Sequence, residues 1–102
     1  MTTTTAILLG GAAAVATPAS AVGSSACTRN DKNYTVIGPN LEWPAIRTGP
    51  GVAYKKKGPL DSAGQFYVTC STVNRYGNRW YYGESQSSNS YGMKGWVAAS
   101  WF

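Results

Sequence analysis

The chain has 102 residues, nine Lys or Arg against four Asp or Glu, a net charge of +5 and no histidine. That length suits one small domain. Without histidine the usual general base near neutral pH and the commonest metal ligand are missing, no G-x-S-x-G element occurs, and the acids are scattered, so the chain reads as a non-enzyme with no metal and no cofactor.

Residues 1–21 read as a signal segment that is cleaved on export. Ala6-Ile7-Leu8-Leu9-Gly10-Gly11-Ala12-Ala13-Ala14-Val15-Ala16 is a short apolar run, too short to span a bilayer, and Ala19-Ser20-Ala21 is an A-x-A cleavage pattern. Met1-Thr2-Thr3-Thr4-Thr5 lacks the basic residues with which such a leader usually begins, which leaves an Ala/Thr-rich leader without a targeting role as the alternative. Export places the mature protein outside the cell, secreted or associated with the wall, with no transmembrane segment.

Residues 22–33 form a polar N-terminal arm in this reading, held down at Cys27. Two cysteines in an exported chain allow one intramolecular pairing, Cys27 with Cys70. The rival is a lipid-anchored Cys27, although Ser24-Ser25-Ala26-Cys27 lacks the apolar residue that lipid-attachment signals place three before the cysteine.

The folded domain is expected over 34–102. Tyr34-Thr35-Val36-Ile37 is β-prone and ends at the turn signal Gly38-Pro39-Asn40. In Gln65–Val73 the residues Phe66, Val68 and Cys70 share one face at period two, and that face should be core. Asn74–Asn78 supplies a turn, Arg79–Gly83 a strand, Glu84–Gly92 a polar loop, and Gly95–Ala98 the last strand; Phe66 and Val97 are the expected core residues. About five short strands punctuated by Gly, Pro and Asn predict an all-β fold, a small barrel.

Three segments carry a family likeness. Pro44-Ala45-Ile46-Arg47-Thr48-Gly49-Pro50-Gly51-Val52-Ala53-Tyr54 and Lys94-Gly95-Trp96-Val97, with Gly77-Asn78-Arg79-Trp80-Tyr81-Tyr82 between them, resemble the opening, crossing and closing strands of bacterial SH3-like (SH3b) domains. Ala45 stands where that family commonly has Asn, Arg79 replaces a glycine, and Lys56 and Lys57 lie where apolar residues are usual. The resemblance implies an SH3-like barrel that binds and does not catalyse. It also implies a peptide ligand, especially a stem or cross-bridge peptide of a bacterial cell wall.

Four Trp and seven Tyr exceed what so small a core holds, so some rings should reach the surface. Tyr54, Trp80, Tyr82, Tyr91, Trp96 and Trp101 are the candidates for an aromatic groove that takes a cell-wall peptide or another extended protein segment. For Trp80 and Trp96, ordinary packing is the competing expectation. Glu42, Asp61 and Glu84 are the acids available to a ligand ammonium. Lys55, Lys56 and Lys57 form either a solvated charged edge or a patch for an anionic wall polymer. Arg47 suits a structural role, holding the following loop by its carbonyls. The expected function is a secreted, monomeric binding module with no nucleic-acid partner. An inhibitor or toxin-like factor acting on a protein target is the alternative, and a single-strand nucleic-acid binder a distant third that needs a misread leader and reduced cysteines.

Overall fold

The computed structural model describes residues 19–102, so the apolar run at Ala6–Ala16 lies outside the described residues. The chain is all-β. Its strands are β1 (Arg29–Ile37), β2 (Ala45–Arg47), β3 (Lys56–Pro59), β4 (Gln65–Val73), β5 (Arg79–Ser85) and β6 (Lys94–Ala98), with short 3₁₀ turns at Ser24–Ala26, Ser88–Ser90 and Ala99–Trp101. All pair antiparallel in one sheet of order β1-β4-β5-β6-β2-β3. The expected closed barrel of about five strands is therefore corrected: among the described residues the sheet has six strands, with β1 and β3 at its two edges.

The additional strand length comes from the polar stretch before Tyr34. Arg29 and Asn30 pair with Ser71 and Cys70, and the register then shifts before Tyr34 meets Val68. Asn33 takes up the irregularity at φ 53°, a left-handed conformation that Asn tolerates better than most residues. No apolar alternation marks this part, because the Cys27–Cys70 disulfide and the ladder to β4 hold it.

Ile46, Leu60, Phe66, Val68 and Val97 form the buried core, with Val36, Tyr81 and Met93 packed against it. Every strand except β3 supplies one of these side chains, so the sheet curls around them. In β4 the alternation holds at Phe66 and Val68 and breaks at the bulge before Cys70, after which Ser71 and Thr72 are buried. In β6 both faces are covered: Val97 enters the core while Trp96, on the opposite face, is fully buried.

The N-terminal arm provides that second cover. Ala19 bridges to Tyr54, the Val22 amide donates to the Thr48 carbonyl (2.9 Å), and the Trp96 indole N–H donates to the Val22 carbonyl (2.8 Å). Thr28 then donates to the Ser71 carbonyl (2.9 Å) beyond the disulfide. The arm is thus fastened along its length and not at Cys27 alone.

At the other end, Asp61 ties the β3–β4 loop to the β5–β6 loop. Its carboxylate accepts from the Ser88 hydroxyl (3.0 Å), the Asn89 amide (3.1 Å) and the Asn89 side chain (2.9 Å), beside three mutually bonded hydroxyls of Ser85, Ser87 and Ser90. The Asn89 backbone N–H foremost, then the side chains of Asn89 and Ser88, hold this carboxyl below its ordinary value of 3.8. A carboxyl depressed on folding stabilises above its unfolded value and loses that contribution as pH falls through the folded one. Acid below about pH 4 is therefore expected to loosen the two loops. Melting temperatures in acid should fall further for the natural chain than for Asp61→Asn, and parallel curves would refute the charge's role.

Candidate functional site

The segment between β2 and β3 folds as a tight loop wrapped on one ring. The Thr48 amide donates to the Lys55 carbonyl (2.9 Å), Gly51 to Gly49 (2.9 Å) and Tyr54 to Gly51 (3.2 Å). Gly49 lies flat on Tyr54, where a Cβ would come within 2.1 Å of the ring. Arg47 Nη1 donates to the carbonyls of Tyr54 (3.0 Å) and Val52 (3.4 Å), the structural role expected of it. Asn74 Nδ2 reaches the Pro50 carbonyl (3.2 Å) and so fixes the loop to the β4–β5 turn.

That turn is itself rigid. Asn74 Oδ1 accepts from the amides of Tyr76 (3.0 Å) and Asn78 (3.1 Å), and Gly77 closes it at φ 86°. Arg75 lies over the exposed Tyr76 ring, 5.0 Å from its centroid.

Loop and turn together wall two neighbouring clefts. The first, of about 620 Å³, lies between Val52 and Trp101, with Trp80, Arg47 and Arg79 lining it. The second, of about 780 Å³, is lined by Pro50, Tyr54, Val73, Arg75 and Tyr76, with Ala19 of the arm at its margin. Val52 and Asn78 line both, so the loop tip is the ridge between them. Three arginines face this region and no carboxylate side chain lines either cleft. Arg79 is held by a 2.7 Å hydrogen bond to the Ser71 hydroxyl. Flat rings, rigid loops and guanidinium groups suit an extended ligand that carries a carboxylate.

The six ring residues expected to share one groove are divided. Trp80 and Trp101 line the first cleft and Tyr54 the second. Trp80 is only 5 % exposed, so it forms a floor, whereas Trp101 at 39 % forms a wall. Trp96 leaves the candidate site: at 0 % exposure it lies beneath the arm, against Tyr82 (ring centroids 5.1 Å). Tyr82 lines a separate, smaller hollow with Lys57, Lys94 and Val22. Tyr91, 73 % exposed, stands beyond the 3₁₀ turn at Ser88–Ser90 and lines neither cleft. Trp80 and Tyr82 share the outer face of β5 but register opposite Ala98 and Trp96, and Val22 of the arm is bonded to Trp96.

Tyr76 and Val52 were not legible as site residues, because a turn and a loop tip carry no periodic pattern. Their signal was an aromatic or branched apolar side chain inside a Gly/Asn-rich turn. Glu42, Asp61 and Glu84 do not line the clefts, and Asp61 is engaged in the loop clamp. Lys56 and Lys57 are exposed on the edge strand β3, and Lys57 Nζ donates to the Lys94 carbonyl.

Elsewhere, Arg29 is paired with Asp31, and the Tyr34 hydroxyl is pushed up to about 12, first by its hydrogen bond with Tyr81 and then by burial. Among the described residues no group of three or more His, Cys, Asp or Glu gathers where a metal ion would sit, and no helix is long and apolar enough to cross a membrane. No family model matches the chain, and no curated protein or solved structure is significantly similar to it.

Proposed function

We propose that this protein is an exported binding module of SH3-like character that holds an extended, carboxylate-bearing peptide, foremost a bacterial cell-wall peptide, in the paired clefts around Val52. The observation that carries the proposal is the composition of those clefts: Trp101, Tyr54 and Tyr76 as walls, Trp80 as floor, and Arg47, Arg75 and Arg79 with no opposing carboxylate side chain. The likeness of Pro44–Tyr54 and Lys94–Val97 to bacterial SH3-like domains supports it, and the Cys27–Cys70 disulfide suits an oxidising compartment. The lysines of β3 then serve chiefly to keep an edge strand from pairing with another chain.

Sedimentation with purified cell-wall sacculi tests this. The natural chain should pellet with sacculi, and Trp101→Ala should lower the affinity roughly tenfold, the loss of about 1.4 kcal/mol expected of an aromatic anchor. Lys56→Ala should change little. Unchanged pelleting of Trp101→Ala, or a natural chain left in the supernatant, would refute the proposal. A secreted factor acting on a protein target is the second reading. It draws on Trp43 and Leu41, which are exposed in the loop before β2 and outside both clefts.

A further inference from the structure

The arm carries a detail that cleft binding does not use. Val22 is gripped from both sides: its amide donates to the Thr48 carbonyl at 2.9 Å, and its carbonyl accepts the Trp96 indole N–H at 2.8 Å. The hydroxyl of the same Thr48 is buried and has no hydrogen-bond partner among the described residues. A buried hydroxyl without a partner has given up its hydrogen bonds to water and gained none in return. The residues just before Val22 are Ala19-Ser20-Ala21, all exposed, and they end in the small-x-small pattern that leader peptidases cut.

We propose that the Ala21–Val22 bond is hydrolysed and that the α-ammonium so released is a structural group, seated on Thr48. Water supplies the oxygen of the new Ala21 carboxylate, and its protons go to the Val22 nitrogen, so the amide N–H becomes an ammonium with two further donors. One donor keeps the bond to the Thr48 carbonyl. The added donors answer the vacant acceptor on the Thr48 hydroxyl, and a charged donor makes hydrogen bonds about twice as strong as a neutral amide does. Among the described residues, the cut releases the Ala19 bridge to Tyr54 with its weak 3.3 Å bond from the Ala19 amide to the Ala53 carbonyl. It also takes Ala19 from the margin of the Tyr54 cleft, so the event that strengthens the arm's hold on Thr48 also widens the edge of the second cleft.

The test is N-terminal analysis of the exported protein followed by amine labelling. Intact mass should place the first residue at Val22. Reductive methylation of the folded chain should modify the α-amine at least tenfold more slowly than in urea, with exposed lysine amines such as those of Lys55 and Lys56 as internal controls. Thr48→Val, which keeps the carbonyl and removes the hydroxyl, should lose part of that protection, and Thr48→Ser should keep it. A chain beginning at any other residue, an uncut chain, or an α-amine that reacts equally fast folded and unfolded would each overturn the proposal. Thr48→Val labelling no faster than the natural chain would overturn the hydroxyl's part in it. Sacculus binding is read separately, so loss of ligand affinity and loss of the amine seat are distinguishable.

Discussion

Alanine at position 83 is expected to unfold the domain. Gly83 lies in the middle of β5, opposite Val68 on one side and Gly95 on the other. A Cβ there would stand 1.8 Å from the Tyr67 carbonyl oxygen and 3.1 Å from Phe66 Cε2. The first atom is backbone in the adjoining strand, so no rotamer change relieves the contact and β4 and β5 must part. Ordinary overpacking of a core costs about 1–3 kcal/mol. Here the separated ladder also loses hydrogen bonds, and the displaced Phe66 belongs to the core cluster. A domain whose whole stability is of order 5–15 kcal/mol does not absorb that sum easily. Far-UV circular dichroism and a thermal melt should show Gly83→Ala without a cooperative transition. Gly23→Ala, with nothing within 4 Å of its added methyl, should melt like the natural chain. A Gly83→Ala melt within a few degrees of the natural one would mean that the strands have slack which the structure does not suggest.

The same neighbourhood separates what the sequence discloses from what it hides. Strand β4 is legible because Phe66 and Val68 alternate with exposed residues in a β-branched, aromatic run, and Val97 is legible as core from its place in a short apolar strand. Arg47 could be read as a loop-holding side chain because the Gly-Pro-Gly turn beside it leaves carbonyls to satisfy. Trp96 could not be placed in the same way. Period two puts it opposite Val97, but whether that outer face meets solvent depends on Val22, distant in sequence by 74 positions. Likewise nothing local in Arg29–Asn33 announces a strand, because the ladder to β4 and the disulfide impose it from outside. The clefts were hidden for a related reason: they arise where the β2–β3 loop meets the β4–β5 turn through Asn74 and Pro50, a contact between two irregular segments.

Removing the disulfide, by Cys27→Ser with Cys70→Ser, is expected to produce the second large effect and to expose how the two faces of the sheet depend on each other. The bridge spans a sequence separation of 43, for which loop-closure entropy gives a stabilisation of about 4 kcal/mol. That entropy acts on the unfolded chain, but the native consequence is local. Without the bridge the arm from Val22 to Thr28 rests on backbone bonds to Thr48 and Ser71 and on the Trp96 indole, each worth about 0.5–1.5 kcal/mol net. Those bonds are too few to hold the arm down at all times, so Trp96 should meet water before the core of Phe66, Val68 and Val97 opens. The expected result is a fall in stability of about 3–4 kcal/mol in urea, with tryptophan emission shifting to the red at denaturant concentrations where far-UV dichroism is still native. Coincident transitions by the two probes would mean that the arm and the core unfold as one unit, in which case the ladder from β1 to β4 carries the coupling. A loss below about 1 kcal/mol would sink the premise itself, since Val22, Thr48 and Trp96 would then suffice to keep the arm in place.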